Sequence, residues 1–145
     1  MRITASRLCI CLLVSILAAC GPSQQQRQHE ANQKYYFQES LKQVEAGGRQ
    51  LQAADLDQQA LTQALEKLDQ GLRFAFQMER KFLDELDLRL GKNYQRYFVA
   101  GVENYRIGIE AGDEQQQREG LKLLARWADF WNAERANIEA RLNSG

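Results

Sequence analysis

The side chains able to do chemistry are few and scattered. His29 is the sole imidazole, and beyond residue 22 the hydroxyl candidates are Ser23, Ser40, Thr62 and Ser144. Nucleophilic catalysis needs a nucleophile and a base held together on a rigid frame. None of these hydroxyls stands at a glycine-rich elbow, and His29 lies in a polar stretch, where it reads as a solvated residue. One histidine cannot supply the paired Glu-x-x-His motifs of a di-iron bundle. No Walker loop, EF-hand or dinucleotide fingerprint occurs. Glu79, Asp84, Glu85 and Asp87 could flank a glycosidic bond as acid and base, yet acids on an exposed helical face are the ordinary case. The expectation is a non-enzymatic protein with no metal or other cofactor.

The three cysteines, Cys9, Cys11 and Cys20, all fall near the N-terminus. A disulfide scaffold or zinc site is thereby excluded for the residues that follow. Residues 1–20 read MRITASRLCICLLVSILAAC, with Arg2 and Arg7 ahead of an apolar run from Leu8 to Leu17. Spanning a bilayer takes about twenty apolar residues, so this run has the dimensions of a cleavable signal rather than an anchor. Leu17-Ala18-Ala19-Cys20 resembles the lipobox of bacterial lipoproteins. The small residues before the cysteine suit access by a signal peptidase, and the thiol suits thioether attachment of a diacylglyceryl group. The resemblance implies cleavage between Ala19 and Cys20, lipid on Cys20, and in many bacteria a further acyl chain on the new N-terminus. Two or three acyl chains anchor stably where one does so only marginally. Gly21 replaces the aspartate that holds such proteins in the inner membrane of enteric-type bacteria, which implies the outer membrane, facing the periplasm or occasionally the surface.

Charge adds an exclusion. The chain has 19 basic and 19 acidic side chains, and losing residues 1–19 removes Arg2 and Arg7 but no acid, leaving a net charge of −2. Such a surface has no field to steer it onto nucleic acid. Membrane attachment must then be hydrophobic, through Cys20.

The expected division is a signal peptide over 1–19, a lipidated Gln-rich tether over 20–34 and a helical domain over 35–145. Ser23 is a candidate cap for a helix running into Tyr35-Tyr36-Phe37, where Phe37, Leu41 and Val44 share a face. Gly47-Gly48 is the expected stop. Asp55-Leu56-Asp57-Gln58 has capping-box form. Leu61, Leu65, Leu68, Leu72, Ala75, Phe82, Leu86 and Leu90 then make a strong helical stripe, with either a bend in one long helix or the meeting of two shorter ones at Gly71, and a stop at Gly91. A third helix, roughly Lys92–Ala111, aligns Tyr94, Phe98, Val102, Tyr105 and Ile109 and ends at Gly112. Gly101 and Gly108 share one of its faces, where a neighbouring helix could approach closely. Asp113-Glu114-Gln115-Gln116 opens a fourth helix carrying Leu124, Trp127, Trp131, Ile138 and Leu142. The fold class expected is all-α, an antiparallel bundle of about four amphipathic helices after the tether. The third and fourth helices faintly resemble a tetratricopeptide repeat through Ala111-Gly112-Asp113 and the surrounding aromatics. Gly101 to Tyr105 is one residue longer than that pattern, and no second copy follows at its period.

A few residues break their own pattern. Glu79 falls on the apolar stripe of a continuous second helix, so it is either a polar contact for a partner, an ion pair, or a residue released to solvent at a bend. Trp127 and Trp131 read as core. Leu123 and Phe130 lie to one side of them, and Phe74 poses the same question on the second helix; they are candidates for a surface that receives another protein's helix. Tyr35, Tyr36, Tyr94 and Tyr97 are read as aromatics with wet hydroxyls. The function expected is a membrane-anchored periplasmic interaction or envelope-assembly module with a protein partner in the envelope. Secretion-system pilotins are an architectural analogy for it. Two alternatives are a carrier of a small apolar ligand or lipid in a bundle cavity, and a carboxylate-based cell-wall enzyme.

Overall fold

A computed structural model describes residues 23–52 and 57–144. Cys20, the rest of the lipobox and Asp55 lie outside these residues. The described chain is all-α, with the elements α1 (Gln24–Leu51), α2 (Gln58–Ala75), α3 (Arg80–Leu86), α4 (Leu90–Asn93), a π-helical turn (Tyr94–Val99), α5 (Ala100–Ala111) and α6 (Glu114–Ser144).

Helix α1 starts where Ser23 accepts a hydrogen bond from the Gln26 N–H at 3.2 Å, the arrangement that satisfies an orphan donor at a helix start. It then runs for 28 residues, about 42 Å at 1.5 Å per residue. Helix α1 runs through the boundary expected at residue 34 without a break. Residues 24–32 are exposed, but Gln33 is buried and the Lys34 ammonium donates to the Leu142 carbonyl. Nor does Gly47-Gly48 end the helix. Gly47 is buried against α2, where a methyl group would sit 2.9 Å from the Ala64 carbonyl oxygen. Its missing side chain serves close approach, and the cost of glycine within a helix is offset by that packing.

The long stripe expected to follow is broken twice. Helix α2, capped by Asp57 accepting from the Ala60 N–H at 2.7 Å, passes straight through Gly71 and stops at Ala75. Gly71 is another site of close approach, 3.1 Å from the Ser40 carbonyl oxygen for an added methyl. Three-residue turns close the helix: Gln77 and Met78 N–H donate to the carbonyls of Phe74 and Ala75. Glu79 is extended. A continuous helix would carry the Glu79 carboxylate into the core, at a desolvation cost that no partner there offsets. The break puts Met78 inside and Glu79 outside. It also shifts phase, so Leu83 rather than Phe82 is fully buried. The second break, at Asp87-Leu88-Arg89, is held by the Asp87 carboxylate accepting from the Arg89 N–H at 2.9 Å. Gly91 lies inside α4 and is buried rather than terminal.

Two antiparallel pairs dominate the packing, α1 with α2 and α5 with α6. The first runs from Gln33 beside Gln77 to Gly47 beside Ala64. The second runs from Gly101 beside Leu124 to Gly108 beside Gln117. Gly112, with φ of 66°, adopts the left-handed conformation that closes α5. Asp113 then caps α6 by accepting from the N–H groups of Gln115 and Gln116. Between the pairs stands a continuous group of rings. Tyr94 packs 5.6 Å from Phe37, 4.9 Å from Phe98 and 5.7 Å from Trp127, and Trp131 closes on both Phe37 and Trp127. The π turn contributes Tyr94, Phe98 and Val99 to this group at once.

Two predictions follow the packing. A methyl group on Gly108 would lie 2.6 Å from the Gln117 nitrogen, and one on Gly120 2.5 Å from the Tyr105 nitrogen, both backbone atoms. Gly108→Ala and Gly120→Ala should each cost about 1–3 kcal/mol in urea melts. Gly48→Ala, with nothing within 4 Å, should stabilise by about 0.4–1 kcal/mol. The other concerns Tyr94, whose hydroxyl meets Ser40 Oγ at 2.5 Å while Ser40 donates to the Phe37 carbonyl. Burial raises the phenol's pKa far above its ordinary value of 10.0, with the Ser40 hydrogen bond acting in the opposite direction. Because the folded state retains this proton longer than the unfolded chain, the contribution is complete below about pH 10 and declines as pH rises above it. Stability should therefore fall above about pH 10, and Tyr94→Phe should flatten that fall while costing about 1 kcal/mol at neutral pH.

Candidate functional site

The residues singled out in the sequence do not converge. Phe74 is half-buried on the α1–α2 flank, edge-on to Tyr35 at 5.7 Å and stacked with Tyr36 at 6.3 Å. Tyr35 is 52% exposed, and Phe76 in the adjoining turn is 63% exposed. Sequence reasoning missed Phe76, because a continuous helix gave no reason to single it out. Phe130 and Leu123 are half-buried on α6, on the other pair of helices. The Phe130 ring lies 5.8 Å from that of Trp127, with the Arg89 guanidinium 5.7 Å above it. Leu123 borders the close approach of α6 to Gly101.

Glu79 occupies a third region, where the start of α1 meets the α2–α3 break. Its carboxylate lies 3.3 Å from His29 Nε2, with both side chains about half exposed. Beneath this pair Gln33 is the organising residue. Its amide nitrogen donates to the Gln77 carbonyl at 3.2 Å, and its amide oxygen accepts from the Glu79 N–H at 2.7 Å. One side chain thus satisfies a donor and an acceptor that the break in the helix would strand. Beside it, a cleft of about 230 Å³ is lined by residues of α1, α3 and α6, among them Arg27, Lys34, Phe82 and Arg141. Arg141 spends a hydrogen bond of 2.7 Å on the Leu86 carbonyl, at the end of α3.

The carboxylates considered for catalysis each face a basic neighbour. Asp84 pairs with Arg80 at 3.2 Å, Glu85 with Lys81 at 3.8 Å and Asp87 with Arg89 at 3.5 Å. Glu134 takes the shorter bond to Arg89, at 2.6 Å, and together with Asp87 it raises the guanidinium's pKa. Among hydroxyls, Ser40 is buried in its bond with Tyr94, Ser23 caps α1, and Thr62 and Ser144 bond to the backbone of their own helices. Among the described residues no group of three or more His, Cys, Asp or Glu side chains is gathered as a metal would require. None of the described helices is long and apolar enough to cross a membrane.

Three regions stand out: the aromatic flank of α1–α2, the end around Gln33 with the cleft beside it, and the seam where the π turn meets α6. At that seam the Tyr97 ring has the Arg96 guanidinium 5.6 Å and the Arg126 guanidinium 5.9 Å from its centre. The role of Gln33 is directly testable. Gln33→Leu keeps the volume but strands the Gln77 carbonyl and Glu79 N–H, and should cost about 1–3 kcal/mol in thermal or urea unfolding. His29→Ala removes only an exposed pairing and should stay within about 0.5 kcal/mol of the parent.

The sequence matches no protein-family model and no curated protein, and the fold matches no solved structure.

Proposed function

We propose that this protein is a lipid-anchored, periplasm-facing interaction module of the outer membrane, holding a protein partner close to the bilayer. Leu17-Ala18-Ala19-Cys20 supports the anchor. The observation that carries the reading is how soon after it the folded chain begins. Only Gly21, Pro22 and Ser23 separate Cys20 from the first residue of α1. Four fully extended steps span at most about 14 Å. A lipid on Cys20 would keep the start of α1 within that distance of the membrane surface, so a partner would be held no farther from the bilayer than the length of the domain allows.

Exposed rings support the interaction half of the proposal. Tyr35 stands half in solvent beside the half-buried Phe74 and Tyr36, on a flank whose rings already pack against one another, and Phe76 is exposed in the turn that follows α2. Aromatic side chains that are apolar on one side and wet on the other are common at protein interfaces.

Two measurements on the full-length chain in its native envelope test the two halves separately. Mass spectrometry should find the N-terminus at an acylated Cys20, and Cys20→Ala should leave an unprocessed precursor. An unmodified Cys20, or cleavage at another bond, overturns the anchor. Photo-crosslinking residues placed at Tyr35, Phe76, Leu123 and Phe130 should give adducts with a protein at one or more positions. Adducts to lipid alone, or none at any position, overturn the interaction module.

A further inference from the structure

The seam between the π turn and α6 departs from the charge arrangement of the rest of the surface. Seven described arginines, Arg49, Arg73, Arg80, Arg89, Arg106, Arg118 and Arg135, pair with a carboxylate. Arg141 binds a backbone carbonyl. Arg96 and Arg126 do neither: each has the Tyr97 ring as its neighbour, from opposite elements of the seam. Lys92, one helical turn before Arg96, adds a third cation with no ion pair. Asp129, three residues beyond Arg126 on α6, forms no ion pair with these cations. Since both guanidiniums lie within 6 Å of one ring centre, they are within about 12 Å of each other.

Apolar surface flanks this charge along α6. Leu123, Arg126 and Phe130 fall at steps of three and four, which places them on one stripe. The stripe rises about 10 Å over two turns. Leu123 and Phe130 are both half-buried, with part of each side chain left to solvent. The pattern is apolar, cationic, apolar, and its complement is a helix carrying an acid between two apolar residues at matching intervals.

Resting on the interaction-module reading and naming its partner's chemistry, we propose that this seam docks an amphipathic helix of another protein. Its carboxylate lies between Arg96 and Arg126, and its apolar side chains cover Leu123 and Phe130. Tyr97 holds both guanidiniums in place through its ring, so less side-chain freedom is lost on binding. A protein rather than a lipid headgroup is favoured by position. Arg126 is eighteen residues from Ser144, about 27 Å along α6, whereas the C-terminal end of α6 packs beside the early turns of α1, next to the anchor.

The test uses the mature lipidated protein in detergent micelles and two alanine-rich helical peptides. One carries leucine, glutamate and leucine at the spacing of Leu123, Arg126 and Phe130, and its twin carries lysine for glutamate. Calorimetry should show the glutamate peptide binding at least tenfold more tightly. The double variant Arg96→Glu, Arg126→Glu should reverse that preference with its melting temperature unchanged. Equal binding of the two peptides, or a preference that survives the double variant, overturns the proposal. So does binding of phosphatidylglycerol vesicles or inorganic phosphate that depends on the two arginines and displaces the glutamate peptide. In the envelope, protein adducts at Tyr35 or Phe76 but none at Leu123 or Phe130 would overturn the seam and leave the interaction module standing. No protein adduct at any of the four would overturn both.

Discussion

Tyr94 is where the two halves of the molecule meet. Its ring is fully buried among Phe37 from α1, Phe98 from its own π turn and Trp127 from α6. Its hydroxyl, which would be costly to bury unpaired, is accepted by Ser40 of α1 at 2.5 Å. Apolar packing alone tolerates sliding of one helix along another. A buried hydroxyl with one acceptor within reach does not, because any slip strands it. The pairing of Ser40 with Tyr94 therefore sets the register between the α1–α2 pair and the α5–α6 pair. The clefts and surface strips that lie between the pairs inherit that register.

The π turn follows from the same constraint. An ordinary helix through Tyr94–Val99 would present Tyr94 and Phe98 on one stripe and turn Val99 away. One wider turn brings all three inward and leaves Arg96 and Tyr97 at the border with α6. Such turns insert a residue at a cost in hydrogen-bond geometry and are often kept where they aim side chains at a site. Here the aim is double: rings toward the core, and cations toward the seam.

How much of this the sequence disclosed depended on whether the cause was local. The all-α class, the caps at Ser23 and Asp113, the closing Gly112 and the close approaches at Gly101 and Gly108 were legible, because each is written in a few adjacent residues or one helical face. The two breaks between Ala75 and Leu90 were not. The stripe there is regular, and only Glu79 contradicts it. The residue that resolves the contradiction, Gln33, is more than forty positions away in a stretch that read as a polar tether. Its partners are backbone atoms, which carry no sequence signature. Gly47, Gly71 and Gly91 misled for a related reason: a glycine that punctuates and a glycine that admits a neighbour look alike until the neighbour is known. Of the candidate surface residues, Leu123 and Phe130 do share a stripe with Arg126. Phe74 and Glu79 belong to other faces, Phe74 on the α1–α2 flank beside Tyr35 and Glu79 beside His29 near the start of α1.

The length of α1 has a mechanical consequence. A tug on Cys20 would enter the fold at Gln24 and be directed along a single helix of 28 residues lying antiparallel to α2. Loaded in that direction, the α1–α2 contact is sheared rather than peeled, so its interlocked points from Gln33 to Gly47 share the strain and yield together. The Ser40–Tyr94 bond and the Phe37 ring stand near the middle of that load path and pass force across to α5 and α6. Were Cys20 lipidated, a partner gripped on α6 would be coupled to the membrane through this path, while the short segment α3, set between its two breaks, is bypassed.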